Sequence, residues 1–419
     1  MSTVKENSLK NLMFFYPYLG KSVVISKLND YIKKFPNFNQ IYTEIRKENK
    51  DEDVPTVVAK TLIFGVEENI INDTDLDELL FLLLEDSLLN SFLYKLDKSL
   101  YVQNDSSFSQ HLLKAWGVPS ENKILSNVNT TGTSDFIICG FRESKTNDTL
   151  ESLRILLIDR KAVDVYFKND ENKQIVFPTI IEFDLRRSLL HIRLKDVDNI
   201  VDNQEKFSTM SGRINNTLNF IDSLYPEIHY SNIKNFRSSL YLLEENLLQE
   251  KRDQAYRKLK DFEKEISNFT NLVTDKFNPP TNLDITPKEY ISNGVLSVIS
   301  TTLNNSELGD VVGIKFRNSK EDNDQKYAEI TISDKGFNCI STNNLYWLNL
   351  PVLQSRQAVE FLKIVKSLPS GLVIVNLDFS LDTANVRLMQ RSKHEDVENK
   401  KPNQEKYDDT IDFLNFFIK

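Results

Sequence analysis

Apolar positions in this chain recur at three- and four-residue spacing in some stretches and at two-residue spacing in others, and the changes of period mark out five regions. Residues 1–118 read as a helical domain. Short helices are predicted over 8–16, 22–34 and 39–48, with Pro17 and Pro36 as stops. A helix over 55–66 opens on Pro55 and runs on Val57, Val58, Leu62 and Ile63. The widest stripe, Leu79, Leu80, Leu83, Leu84, Leu88, Leu89, Phe92 and Leu93, predicts one helix over 74–95, capped by Thr74 with Asp77 three residues on.

Residues 119–202 read as a β-rich domain. Strands are expected at 123–125, 135–139, 154–158, 163–167, 175–184 and 189–194, the last two as a hairpin in which Pro178 needs an edge or a bulge. Alternation sends Ile181, Phe183, Leu190 and Ile192 inward and leaves Glu182, Asp184, His191, Arg193 and Lys195 as a solvated face of mixed sign. Residues 203–280 read as a long helical hairpin. Its second arm covers 232–277 without Gly or Pro, on a seam of Phe236, Leu240, Leu243, Leu247, Ala255, Leu259, Phe262, Ile266, Phe269 and Val273 interrupted at Lys251, close to coiled-coil spacing. Residues 281–391 return to mixed α/β, with strands at 295–299, 311–316, 327–333, 336–340 and 372–378, a helix at 356–367, and 345–350 extending the sheet. Residues 392–419 form a charged linker and a C-terminal helix, whose apolar side is docked either on its own body or on a partner. The fold class is therefore α+β: a helical N-terminal region, a β-rich middle domain, a long helical hairpin and a mixed α/β C-terminal domain.

Composition narrows the function classes. The 419 residues are 40% hydrophobic and 27% charged with net charge −9, so no basic excess announces a general nucleic-acid surface. Neither GxxxxGK[ST] nor GxGxxG occurs, which argues against a phosphate-binding loop and leaves no cofactor implied. The two cysteines, Cys139 and Cys339, lie in apolar runs and read as buried free thiols. The four histidines are scattered without metal-ligand spacing and read as surface or capping residues. The longest apolar run, 79–84, is far short of a membrane span, and the N-terminus has no signal-peptide core, so a cytoplasmic protein without membrane association is expected. Heavy use of Lys, Asn and Ile points to an AT-rich, low-GC bacterial or mobile-element genome, and with it to a defence-type setting.

One segment could carry chemistry. Gly132-Thr133-Ser134-Asp135 leads into a strand, and a second strand, residues 154–158, ends in Asp159-Arg160-Lys161. An acid before one strand and acid-x-Lys after its neighbour resembles the PD-(D/E)xK nuclease signature over about thirty residues, with Asp in the middle position and no Pro in the turn. The resemblance implies catalytic Asp135, Asp159 and Lys161. The two carboxylates would hold Mg²⁺ or Mn²⁺, and alternation would put Asp159 and Lys161 on one strand face. The same residues also fit a plain β-hairpin with solvated ends.

Two other clusters stand out. Lys251, Arg252, Arg257 and Lys258 form the densest local basic group and are the candidate nucleic-acid contact. Phe413, Phe416 and Phe417 on the C-terminal helix are the candidate partner-binding residues. The long helix, the tethered C-terminal helix and the missing catalytic constellations favour a non-enzymatic interaction or scaffold subunit of an intracellular multi-protein assembly. Its expected partner is another protein or a second copy of itself, with nucleic acid as a further candidate. The alternative is the metal-dependent nuclease.

Overall fold

The computed structural model describes residues 2–97, 106–128, 130–167, 172–201, 204–280, 284–302, 310–318, 327–334, 336–389 and 401–418. The class is α+β, and the chain divides into two compact units, Met1–Ser231 and Asn232–Lys419. The two helices expected to form one hairpin fall in different units.

In the first unit, helices α1 (Ser2–Met13), α2 (Lys21–Lys27), α3 (Phe38–Glu48), α4 (Val54–Glu67) and α5 (Asp73–Glu85) precede the first strand, β1 (Asn90–Leu96). Helix α6 (Ser106–Ala115) follows. Then come β2 (Phe136–Thr146), β3 (Thr149–Asp159), β4 (Val163–Tyr166), β5 (Asn172–Ile175), β6 (Pro178–Asp184) and β7 (Leu189–Leu194). Helices α7 (Glu205–Ser208) and α8 (Met210–Asp222) and a short strand β8 (Tyr230–Asn232) complete the series. Five strands pair antiparallel in the order β1-β7-β6-β3-β2, and β4 pairs with β5 apart from them. One core unites Phe15, Val57, Leu62, Leu76, Leu79 and Leu83 of the helices with Leu156, Ile158 and Ile180 of the sheet.

Four expectations need correction here. The helix predicted over 74–95 stops at Glu85, and Asn90–Leu96 forms β1. Leu88, Leu89, Phe92 and Leu93 satisfy helical spacing and a fully buried strand equally well, and only the pairing of β1 with β7 decides between them. The cap is Asn72, not Thr74: its side chain accepts the Asp75 N–H at 2.8 Å, and the Asp75 carboxylate accepts the Asn72 N–H at 3.0 Å. Pro178 lies at neither an edge nor a bulge. It is the first residue of an inner strand, where a missing N–H costs least. Residues 123–125 make one backbone bond to the sheet, Lys123 N–H to the Cys139 carbonyl at 2.7 Å, before a 3₁₀ turn begins at Leu125. Beside that bond the β2–β3 register shifts at Gly140, where a Cβ would lie 1.9 Å from Asn122 Oδ1.

The second unit opens on the long helical run. Helix α9 (Phe236–Leu259) passes through a 3₁₀ turn, Lys260–Phe262, into α10 (Glu263–Phe277) without a non-helical residue. Helix α11 (Pro287–Ile299), β9 (Val311–Arg317), β10 (Glu329–Ser333), α12 (Asn344–Arg356), β11 (Phe361–Leu368), β12 (Gly371–Ser380), β13 (Thr383–Leu388) and α13 (Gln404–Asn415) follow. The strands pair antiparallel in the order β10-β9-β11-β12-β13.

Four local readings change in this unit. Residues 295–299 belong to α11, which is started by Pro287 and a Thr286–Glu289 capping box. Residues 345–350 are helical because Asn343 caps α12; Pro351 is accommodated inside that helix, and Trp347 is anchored through its Nε1–H to the Ser341 carbonyl at 2.7 Å. The helix expected at 356–367 is instead β11, held on both sides by β9 and β12. Residues 336–339 lie outside any strand, and a 3₁₀ turn, Ile340–Thr342, follows. Both cysteines are buried free thiols, and burial pushes Cys139 up to about 12.

The 3₁₀ turn has a geometric effect. Each of its residues advances about 120° rather than 100°, so three of them rotate the apolar stripe by about 60°. Phe236, Leu240, Leu243, Leu248 and Ala255 of α9 are buried. Beyond the turn only Ile266 of α10 is, and Phe262 and Phe269 are exposed.

Candidate functional site

The open end of the β2–β3 hairpin brings the backbones of Asp135 and Asp159 close together. Phe136, next to Asp135, is the register partner of Asp159, and the Arg160 N–H donates to the Asp135 carbonyl at 2.8 Å. The Arg160 side chain lies across the preceding turn, donating to the carbonyls of Ser134 at 2.8 Å and Thr131 at 3.0 Å and to the Thr130 hydroxyl at 3.1 Å. A Cβ at Gly132 would stand 2.5 Å from that guanidinium, which would have to shift to admit it. Asp159 is the last residue of β3, and residues 160–161 bend away. Strand alternation therefore does not carry through to Lys161, which is exposed while Asp159 is 3% exposed.

Two cations from outside the motif meet the two acids. Lys206 of α7 places Nζ 2.9 and 2.8 Å from the Asp135 carboxylate oxygens, in a pair in which both side chains are well solvated. The Arg213 side chain of α8 is buried over the Phe177 ring and donates to the Lys195 carbonyl at 3.1 Å. Burial pushes the Asp159 carboxyl up; Arg213 and Lys206 pull it down and Asp135 pushes it further up, leaving it at about 7. The Tyr18 hydroxyl, which Asp159 and burial both push up, is buried without a hydrogen-bond partner among the described residues. Burial lowers Arg213 as well. Sequence reasoning missed Lys206, Arg213 and Tyr18. Of these only Arg213 left a trace: it adjoins Ile214 on the apolar stripe of α8.

Chemically this is a nearly neutral cluster of two carboxylates, two cations and a phenol. A divalent ion asks for six or more oxygen ligands, and Lys206 already occupies Asp135. No group of three or more His, Cys, Asp or Glu gathers as a metal-ligand set among the described residues.

The raised Asp159 value fixes the sign of a pH effect. An acid whose folded pKa exceeds its unfolded value of about 3.9 contributes its full stability only below that value, and loses it as pH rises toward 7. Asp159→Asn is therefore expected to stabilise the chain by about 2–4 kcal/mol at pH 8 and by under about 1 kcal/mol at pH 4. Urea denaturation at the two pH values reads this directly, and equal midpoints for variant and wild type at pH 8 would refute it.

A second polar cluster replaces the solvated sheet face expected of β6 and β7. Glu182, Asp184, His191 and Arg193 are all buried, because α5 lies over them and contributes Glu85. Arg193 is fully enclosed: Nη1 donates to Glu182 at 3.0 Å, Nε to the Leu88 carbonyl at 3.0 Å and Nη2 to the Glu85 carbonyl at 2.8 Å. The Glu85 carboxylate receives Arg154 and Arg142, while Arg187 closes on Asp184. His191 sits with Nδ1 3.8 Å from Glu182 and Nε2 3.7 Å from Asp184. It was expected at the surface. Burial lowers its pKa more than the two acids raise it. Burial alone would push Glu182 up, but the positive charges of His191, Arg193 and Arg154 hold it below the usual carboxylate range. Every charge here has a counter-charge inside the unit, the signature of an internal brace. Of the other histidines, His111 and His229 are exposed, and His394 lies outside the described residues.

The mid-helix basic group does not form one surface. Arg252 points inward, where Nη2 binds both carboxylate oxygens of Glu244 at 2.9 and 2.6 Å and Nε donates to the Tyr346 hydroxyl at 2.9 Å. That hydroxyl donates to Glu244 at 2.6 Å. This buried triad bridges α9 and α12 and fills the interruption in the apolar seam at Lys251. Arg257 and Lys258 remain exposed, Lys258 reaching Thr302 at 3.0 Å. On α13, Tyr407, Ile411 and Leu414 are buried and Lys406 donates to the Leu372 carbonyl at 2.9 Å, so this helix docks on its own unit. Phe413 and Phe417 are half-buried and in edge contact with each other, and Phe416 is exposed. No helix among the described residues is long and apolar enough to cross a membrane. No family model, no curated protein and no solved structure matches this chain.

Proposed function

We propose that this chain is a non-enzymatic interaction subunit, a scaffold that joins a multi-protein assembly through the helical layer of its second unit. The observation that carries this reading is the apolar surface on α10 and α11. Phe262 in the 3₁₀ turn, Phe269, Leu272 and Phe277 on α10, and Tyr290 and Val298 on α11 are all exposed. Clustered exposure of large apolar side chains marks protein contact sites, whereas scattered exposure carries no information. The polar clusters fit the same reading: the Glu182–Arg193 and Glu244–Arg252 groups are buried and paired internally. The test uses the full chain with Phe269→Asp and Leu272→Asp together. The wild type is expected to sediment above its monomer mass, alone or with a stoichiometric protein, and the variant to sediment as a monomer with unchanged helix content. A wild type that is monomeric alone and holds no stoichiometric partner in cells would overturn the reading.

The second reading is a metal-dependent nuclease with a PD-(D/E)xK-like core. It is favoured by one observation, the adjacency of Asp135 and Asp159 at the hairpin end. It requires Lys206 to give way before both carboxylates are available. Mg²⁺- or Mn²⁺-dependent cleavage of DNA or RNA by the purified chain, abolished by Asp159→Ala, would establish it. A chain inert on all four metal and nucleic-acid combinations ends it.

A further inference from the structure

We infer that α10 pairs antiparallel with α10 of a second copy of this chain, about a two-fold axis passing between Thr270 and Asn271. This deepens the interaction reading and rests on it. The stripe that the 3₁₀ turn rotates outward runs Phe262, Glu265, Phe269, Leu272, Lys276, with spacings of three, four, three and four. That is the repeat of a two-helix seam. Phe262 is 48%, Phe269 55% and Leu272 66% exposed, and Phe277 at the end of the helix is 69% exposed. The side flanking this stripe, through Ile266, about 90° round the helix from its centre, packs inside the unit.

The charges within the stripe identify the occupant. Glu265 and Lys276 are exposed, and neither makes an ion pair within the chain among the described residues. Setting α10 against an antiparallel copy with the axis between 270 and 271 brings Phe269 level with the partner's Leu272 and Leu272 level with the partner's Phe269. One turn outward on each side, Glu265 comes level with the partner's Lys276 and Lys276 with the partner's Glu265. Phe262 then meets the turn at the partner's Pro279. The pattern is self-complementary: an apolar centre closed at both ends by opposite charges. A parallel pair would set Glu265 on Glu265 and Lys276 on Lys276, and like charges at facing seam positions are repulsive. An unrelated partner would have no reason to be matched by the helix's own reversed sequence, whereas a two-fold interface must be self-complementary. Four turns of helix bury less than the roughly 800 Å² per partner of a standard interface, so a reversible dimer in the micromolar range is expected.

Sedimentation equilibrium of the full chain across the micromolar range, with circular dichroism to verify folding, tests this. Glu265→Lys alone, and Lys276→Glu alone, each set like charges together twice and are expected to weaken the dimer by about tenfold. The double variant restores both pairs with reversed sign and is expected to return to within about threefold of wild type. Phe269→Ser with Leu272→Ser is expected to be monomeric. A wild type monomeric throughout the range overturns the pairing, as does a dimer indifferent to all these changes or a double variant no better than the singles. A monomeric wild type that still holds a different protein, and loses it with Phe269→Ser and Leu272→Ser, would end the self-pairing and leave the interaction reading standing.

Discussion

Arg193→Met is expected to destabilise the chain by about 3–5 kcal/mol, because it removes the cation from a fully enclosed network and leaves the Glu182 carboxylate without its closest counter-charge. The arginine also satisfies the Leu88 and Glu85 carbonyls, and a thioether can satisfy neither. Two further measurements separate this account from simple loss of packing. In the wild type the depressed Glu182 carboxyl contributes stability above its unfolded value of about 4.3, and that contribution is lost as the solution is acidified through the folded value. In Arg193→Met the same carboxyl is buried with its direct ion pair gone, so the deficit relative to wild type should shrink toward low pH, where protonation relieves it. Arg193→Met combined with Glu182→Met should recover much of the loss, since both buried charges are then gone. A deficit independent of pH would mean that the network contributes volume rather than charge. Urea midpoints across the pH range provide all three readings.

The second large effect is an asymmetry in the Glu244–Arg252–Tyr346 triad. Glu244→Ala is expected to cost about 3–5 kcal/mol, whereas Arg252→Met should cost only about 1–3 kcal/mol near neutral pH. The chemistry of the two partners differs. A guanidinium in the interior cannot shed its proton, so Glu244→Ala leaves the permanent charge of Arg252 with only the longer pair to Glu245, Nη1 to Oε1 at 3.3 Å, as a carboxylate partner. A carboxyl left alone can take up a proton, and burial already raises Glu244 despite Arg252 beside it. Once neutral, Glu244 still accepts the Tyr346 hydroxyl, so Arg252→Met leaves no unpaired charge behind. Thermal or urea unfolding of the two variants side by side decides the matter. Equal losses would mean that Glu244 stays ionised without its partner.

The sequence patterns that could be read were those with a single physical solution. The run from α9 into α10 has no breaker and a sustained three/four seam, and it is helical throughout. The β6–β7 hairpin alternates, and it pairs as alternation requires. Where one apolar run serves two solutions, the reading failed. Leu88 to Leu93 fits a helix or a buried strand, and the dense apolar run of β11 suggested a helix until its neighbours on both sides are seen. The charged residues were the hardest to place, because alternation says which side of a strand they occupy and nothing about what covers that side. Glu182, His191 and Arg193 read as solvent-facing until α5 supplies Glu85 and the enclosing backbone. At the β2–β3 hairpin the neighbouring of the two strands that carry Asp135 and Asp159 was legible in the sequence, and the placement of their carboxyls was not. The cations that answer them come from positions 206 and 213, a separation in sequence that no local pattern spans.

The two buried thiols give the molecule an unplanned measuring device. Cys139 belongs to the first compact unit and Cys339 to the second, and both are sealed from solvent. A soluble thiol reagent reaches either sulfur only when the structure around it opens, so the rate of modification at each site counts the openings of one unit alone. Peptide mapping after timed labelling would follow the two units as separate clocks within one chain, with no residue changed.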